Sequence, residues 1–238
     1  MQIRGASALV TGAGRGIGRA IAIALGREGA GVTLLSRTRS DLDRVAAGIA
    51  GGGGRAAVFA GDLCEKGVAD AAVAAAVSAH GRLQILVNNA GVGGFKPLAE
   101  TSDEEWDRIL GTNLTAAFRV TRAALPHLTQ GGGHVFMISS LAGQNPIANL
   151  AAYCASKAAL DQLSACLMLE VRQAGVKVTT LAPGSVDTGF AGMPRGGDTS
   201  WMLSPDDLAG TVVALLQMRD DAHLSHIDMR PARPKQRA

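Results

Sequence analysis

The sequence predicts an α/β fold: a doubly wound parallel sheet of about seven strands, with helices on both faces, in a single domain. Short apolar runs alternate with longer helical patterns from one end of the chain to the other, which is the order of a parallel sheet wrapped by helices. No composition shift or linker divides the 238 residues. At 47% hydrophobic, a chain of this length fills one core without needing a second.

The first strand is expected over 6–11, where Ala6-Ser7-Ala8-Leu9-Val10-Thr11 is small and β-prone. It stops abruptly at Gly12-Ala13-Gly14-Arg15-Gly16-Ile17-Gly18, and a helix opens beyond, with Ile21, Ile23, Ala24 and Leu25 among good helix formers between Arg19 and Glu28. Further strands are expected near 32–36, 56–60, 83–87, 134–139, 176–182 and 224–229, with helices filling the gaps. Ser40 and Ser102 read as helix N-caps, the second with Glu105 three residues later as a capping box. The four glycines at 51–54 read as a turn between a helix and the third strand. A long helix is expected from Ala151 to Arg172, and its leucines and alanines offer more apolar surface than the sheet side alone can use.

Strand, glycine turn, helix is the arrangement that cradles a phosphate. Glycine lets the backbone turn sharply, and the helix N-terminus presents N–H groups and the positive end of its dipole to an anion. The pattern G-x-G-x-x-G fails because its third glycine falls on Ile17, whereas Thr-Gly-x-x-x-Gly-x-Gly fits Thr11 to Gly18.

A second constellation lies later. The only tyrosine, Tyr153, stands four residues before Lys157 and thirteen after Ser140. On a helix, residues four apart share a face, so the ammonium would stand beside the phenol and lower its pKa from about 10, as a general acid or base requires. By itself Tyr-x-x-x-Lys is as readily an ordinary surface pair. Cys154 would point elsewhere on the helix and is not expected to act as a nucleophile.

With Asn88-Asn89-Ala90-Gly91 and Pro183-Gly184 followed by Thr188, these motifs occur in the order and at the separations of the short-chain dehydrogenase/reductase family. The chain resembles that family's single-domain form over nearly its whole length, and in general character it is similar to the 3-oxoacyl carrier-protein reductases. The resemblance implies a Rossmann-type fold and hydride transfer between a nicotinamide cofactor and a carbonyl or alcohol. Tyr153 would be the general acid, with Lys157 lowering its pKa and holding the nicotinamide ribose. Ser140 would bind the carbonyl, with Ser139 as its neighbouring alternative. Asn113, after Gly111-Thr112, would anchor a proton-relaying water. Gly12, Gly14, Arg15, Gly16, Ile17 and Gly18 would hold the pyrophosphate, while Asp62 and Leu63 would line the adenine pocket. Asn89, Ala90 and Gly91 would support the ribose, and Pro183, Gly184, Val186 and Thr188 would face the nicotinamide. A helix cap is the other use for Asp62. One departure is visible: carrier-protein reductases usually show Asp-Gly-Gly near the last strand, where this chain has Ile227-Asp228-Met229-Arg230-Pro231.

Cofactor choice is legible at the end of the second strand, Leu34-Leu35-Ser36-Arg37. An NAD site places a carboxylate there for the ribose hydroxyls. Ser36 can instead hydrogen-bond a 2′-phosphate and Arg37 can neutralise it, with Arg15 a second candidate cation, so NADP(H) is expected over NAD(H) despite Asp41 nearby.

Other classes are disfavoured. The formal charge of +3 becomes −1 once Arg230, Arg233, Lys235 and Arg237 are set aside, so the basicity belongs to a tail at 230–238, expected to be solvated and disordered beyond a 1–229 domain. With one tyrosine and 3% aromatics, a nucleic-acid role is not expected. No apolar run is long enough to cross a bilayer, and no charged-then-apolar leader is seen, so the expected location is cytoplasmic. Cys64, Cys154 and Cys166 suggest no disulfide framework, and His223 and His226 no metal site. Gly189 to Leu203, with Met193, Trp201 and Met202, has the makeup of a lid over an apolar substrate or of a plain surface loop. The expected partners are a small carbonyl or alcohol substrate and a second copy of the chain, as a homodimer or homotetramer paired through the Ala151–Arg172 helix and the one before it. The alternative is a catalytically idle NADP-binding sensor or scaffold.

Overall fold

The computed structural model describes residues 1–190 and 198–233. Its strands are β1 (Ser7–Thr11), β2 (Gly31–Ser36), β3 (Arg55–Ala60), β4 (Ile85–Asn88), β5 (Gly133–Ile138), β6 (Val176–Pro183) and β7 (His226–Met229). They form one sheet of order β3-β2-β1-β4-β5-β6-β7, with every pairing parallel. The expected seven-stranded doubly wound sheet is present, and its boundaries fall within two residues of those read from the sequence.

The helices are α1 (Gly16–Arg27), α2 (Arg39–Gly51), α3 (Val68–His80), α4 (Asp103–Leu110), α5 (Ala116–Leu128), α6 (Ala151–Val171) and α7 (Pro205–Gln217). Alternation along the strands divides the core between the two faces of the sheet. Ala8, Val10, Ile85, Val87, Phe136 and Ile138 pack with α1, α2 and α7, whereas Leu9, Leu86, Val135 and Met137 pack with α3, α5 and α6. Both faces of the central strands are therefore covered, and β1, β4 and β5 read as continuous buried runs. Among the described residues no helix is long and apolar enough to cross a membrane.

Helix starts follow local chemistry in part. Ser102 caps α4, accepting the Glu105 N–H at 3.3 Å. Only half of the expected box forms, because the Glu105 carboxylate takes Lys96 Nζ at 2.9 Å instead of reaching back. Ser40 is not a cap: α2 begins at Arg39, with Thr38 at the cap position and no side-chain bond there. Arg39 donates to Asp43 at 2.8 Å and Arg44 pairs with Asp41, so charge pairs across the first turns support a helix that starts earlier. The glycine turn after α2 is as expected, with Gly53 at φ 79° before β3.

The chain builds β1, β2 and β3 outward and then returns across β1 to β4. This places the switch point of the sheet between β1 and β4, where ligands of open α/β sheets bind.

Candidate functional site

A cleft of about 720 Å³ lies across the C-terminal ends of the strands. Of the candidate catalytic and cofactor-binding residues, all line it except Gly18 and Asn113.

The glycine turn is shaped by its packing on β4. Gly12 has φ 64°, and a Cβ there would lie 2.8 Å from Asn89 Nδ2. At Gly18 a Cβ would lie 2.4 Å from the same nitrogen and 2.5 Å from the Gly12 carbonyl, so any side chain would push α1 away from the turn. Asn89 closes the joint: Nδ2 donates to the carbonyls of Thr11 at 3.0 Å and Gly12 at 3.2 Å. In return the Thr11 hydroxyl accepts the N–H groups of Asn89 at 2.9 Å and Ala90 at 3.0 Å. The Asn89 side chain is thus a brace for the phosphate cradle, while Ala90 and Gly91 face the cleft. Asn88 is buried, and its amide donates to the Thr121 hydroxyl at 2.8 Å.

Tyr153 sits in the first turn of α6, and Lys157 follows one turn later, fully in the interior. Lys157 Nζ donates to the Ile138 carbonyl at 2.8 Å and lies 5.8 Å from the centre of the Tyr153 ring. Burial lowers its pKa to about 8, against a smaller opposing pull from the Asp161 carboxylate. The phenol departs from expectation. Burial raises the Tyr153 pKa above its usual value, outweighing the Ser140 hydroxyl, whose hydrogen bond favours phenolate. The ammonium is spent on a carbonyl and stands over the ring, so it does not reverse the desolvation. Ser140 also donates to the Pro183 carbonyl at 3.4 Å and accepts the Ala142 N–H at 3.2 Å. Ser139 turns inward, donating to the Lys157 carbonyl at 3.4 Å. Of the two serines it is Ser140 that meets the phenol.

Asn113 lies in a π-helical turn, Gly111–Thr115, that joins α4 to α5. Such turns re-aim one side chain out of helical register. Its Oδ1 accepts the Val92 N–H at 2.7 Å, and its Nδ2 donates to the Val92 carbonyl at 2.9 Å and to the Ser156 hydroxyl at 2.9 Å. Ser156 in turn donates to the Tyr153 carbonyl at 2.7 Å. The side chain therefore ties the segment after β4 to the first turn of α6. A Cβ on Gly91 would lie 3.4 Å from Asn113 Oδ1 and 3.7 Å from Lys157 Nζ, so both side chains reach the space that Gly91 leaves open.

At the far end of the cleft, the Ser36 hydroxyl is buried without a hydrogen-bond partner among the described residues, and a Cβ on Gly14 would lie 3.2 Å from it. Arg37 is exposed, with a guanidinium nitrogen 3.9 Å from Asp62. Asp62 is not a helix cap: it accepts the Cys64 N–H at 2.9 Å in its own turn, and α3 begins only at Val68. Arg15 lines the same end, and Asp41 is paired with Arg44. An orphaned hydroxyl, Arg15, a loosely paired Arg37 and a cradle closed to side chains fit an anionic dinucleotide.

The loop after β6 runs back over the site. Val186 bridges to Leu203, with the Asp187 N–H on the Leu203 carbonyl at 2.9 Å and the Leu203 N–H on the Ser185 carbonyl at 3.0 Å. Phe190 leans on Tyr153 at 5.6 Å between ring centres, in space that Gly93 leaves open. Trp201 is partly buried and donates to the Asp198 carbonyl, whereas Met193 lies outside the described residues. Phe95, Ile147 and Phe190 line the cleft without having been singled out in the sequence, and Arg230, expected to begin a solvated tail, lines it too. Its place directly after β7, at the ligand-binding end of the sheet, was the signal against a tail assignment. The three cysteines are free, and no cluster among the described residues could hold a metal. Lys235 and Arg237 of the expected tail lie outside the described residues.

Residues 6–195 match the family model described as short chain dehydrogenase. The chain is 39% identical over 181 residues to the probable oxidoreductase EphD of Mycobacterium tuberculosis; the match covers 75% of this chain and 31% of that protein, so the chain spans about a third of that relative's length. Among solved structures, it superposes on a metagenomic short-chain oxidoreductase in complex with NADP at TM-score 0.86 and 38% identity, covering 98% of this chain and 100% of the other. The alcohol dehydrogenase of the archaeon Thermococcus sibiricus, complexed with 5-hydroxy-NADP, superposes at TM-score 0.90 and 30% identity over 97% and 99% of the two chains.

Proposed function

The chain belongs to the short-chain dehydrogenase/reductase family, and from that premise we propose that it is an NADPH-dependent oxidoreductase that reduces a ketone or aldehyde with Tyr153 as general acid. The observation that carries this is the meeting of the buried Tyr153 phenol, the Ser140 hydroxyl and the Lys157 ammonium in one cleft with a glycine cradle. When bound, the reduced nicotinamide supplies the hydride.

The residues of this chain do the rest. Ser140, beside the phenol, hydrogen-bonds the substrate carbonyl and holds its carbon in place. Burial keeps the Tyr153 proton on the phenol at neutral pH, so Tyr153 is ready to donate it as negative charge develops on the oxygen. Lys157 carries its charge below about pH 8 and supports the negative charge left on the phenol. Asn113 holds Val92 and, through Ser156, the first turn of α6. Phe190, Leu150 and Leu141 exclude water around the phenol.

Ser36 and Arg37 favour NADPH over NADH. The buried Ser36 hydroxyl is left with a bond to offer, and the Arg37 guanidinium can turn from its long contact with Asp62 to a 2′-phosphate. The binding domain extends past the expected boundary at 229, since Arg230 lines the cleft and Pro231 packs beside Gly184. A homodimer, or a tetramer built from it, would pair the outer faces of α5 and α6, where Phe118 and Leu169 are exposed among small residues. The experiment is loss of NADPH absorbance with a panel of aliphatic, aromatic and thioester ketones. Turnover excludes an idle sensor, and silence across the panel counts against the reductase.

A further inference from the structure

Arg230 follows β7 directly, and its chain neighbours pin it to the wall that carries Ser140. The Gly184 N–H donates to the Met229 carbonyl at 2.8 Å, and a Cβ on Gly184 would lie 3.2 Å from Pro231 Cδ and 3.2 Å from Leu141 Cδ1. The residue before Gly184, Pro183, accepts from the Ser140 hydroxyl. Arg230 is therefore bracketed over the strand end that touches Ser140, and its side chain lines the cleft there.

The guanidinium is held from one side only. Its Nη2 donates to Asp228 Oδ2 at 3.1 Å. Asp228 is itself anchored, its Oδ1 accepting Gln144 Nε2 at 3.2 Å and lying 3.1 Å from His226 Nε2. Slight burial works against ionisation of Asp228, but the bonds from His226, Arg230 and Gln144 prevail and hold its carboxyl below the usual range. The remaining guanidinium N–H groups have no acceptor among the described residues.

The other charged side chains that line the cleft lie elsewhere: Arg15, Arg37, Asp41 and Asp62 at the ends of β1 to β3, and Lys157 in the interior. Beside Ser140, Tyr153 and Asn145, this end is walled by Phe95, Leu141, Ile147, Leu150 and Phe190. One oriented cation at the rim of a mostly apolar wall, its side chain 57% exposed, selects a ligand with an apolar body and one anionic end. Because Asp228 already takes part of the charge, a monoanion suits the fork better than a dianionic phosphate.

Resting on the reductase reading above, we propose that Arg230 is a specificity residue that binds the carboxylate of an apolar oxo acid, so that the substrate class is a ketone bearing a remote carboxylate. The test compares kcat/KM for methyl-ketone acids of increasing chain length with their methyl esters, using NADPH, in the wild type, Arg230→Met and Arg230→Lys. At the best length the acid should exceed its ester by about tenfold or more. Arg230→Met, which keeps the apolar stem, should lower that ratio by about tenfold, with Arg230→Lys between. Esters used as well as acids at every length, or a ratio unmoved by Arg230→Met, would overturn the proposal. Calorimetric binding of heptanoate and heptan-2-ol to the protein with NADP⁺ separates the two inferences. Arg230-dependent preference for heptanoate with no ketone reduced keeps the anion site and removes the reductase. Ester reduction without any preference for heptanoate does the reverse.

Discussion

The Lys157 ammonium donates to the Ile138 carbonyl at 2.8 Å, tying the cation of α6 to the last residue of β5. The bond fixes Nζ over the Tyr153 ring in the interior, where desolvation brings its pKa down to about 8. Its charge is therefore titratable within the working range of an enzyme, unlike that of an ordinary lysine.

Two pH effects are expected from it. Reduction should fall as pH rises through about 8, because the ammonium that supports the Tyr153 site is lost there. Stability should change in the opposite sense. The folded pKa lies below that of the unfolded chain, so between about pH 8 and about 10.5 the unfolded state holds more protons, and folding gains up to about 3 kcal/mol as pH rises through that window. Urea unfolding at both ends of the window tests it: the gain should vanish in Lys157→Met, and an equal gain in that variant would contradict the assignment.

Arg37→Ala should raise the Michaelis constant for NADPH by roughly ten- to a hundred-fold while leaving that for NADH within a few-fold, since only the 2′-phosphate contact is removed. Equal effects on both cofactors would take Arg37 out of the phosphate site.

The fold was readable because its central strands are buried on both faces and appear as unbroken apolar runs between helical patterns. Most of the motif residues were readable because they lie at strand ends, which converge in a parallel sheet, while Tyr153 and Lys157 were readable from their spacing on one helix. What failed to show was tertiary in origin. Ser40 has the right chemistry for a cap, but the start of α2 is set by Arg39–Asp43 and Arg44–Asp41. The Tyr153 pKa was expected to fall because its neighbour on the helix is a cation, whereas the burial that raises it comes from the surrounding fold. Arg230 looked like the start of a solvated basic tail, because sequence alone does not distinguish an arginine facing water from one facing a cleft. Phe95 and Ile147 lie in segments without periodicity, and only folding brings them to the same wall.

His134 should make the protein acid-labile. Its Nε2 lies 2.8 Å from the Thr179 hydroxyl, which itself donates to the Leu224 carbonyl at 2.7 Å, so the ring donates through Nε2. Burial lowers its pKa to about 3, helped by the charges of His223, Lys177 and the N-terminal ammonium. The folded value lies below the unfolded one, so its contribution is intact above about 6.5 and is lost as pH falls toward 3. Between pH 7 and 5 unfolding free energy should drop by about 2 kcal/mol from this group. A urea titration should show that drop reduced in His134→Gln; an undiminished drop would assign it elsewhere.

The outer faces of α5 and α6 should associate. Light scattering at micromolar concentration should give at least a dimeric mass, and Leu169→Glu, at an exposed site, should shift it toward the monomer with a loss of activity, because the same helix carries Tyr153. A fully active monomer would contradict this.

The most direct test of the central claim uses NADPH carrying deuterium at nicotinamide C4, excess ketone, and mass spectrometry of the alcohol, in the wild type and in Tyr153→Phe. The wild type should place one deuterium on the carbinol carbon. Tyr153→Phe should bind NADPH within a few-fold of the wild type yet form the alcohol at about a hundredth of the rate or less. An unlabelled alcohol, or a variant retaining more than about a tenth of the activity, would contradict hydride delivery to a carbonyl protonated by Tyr153.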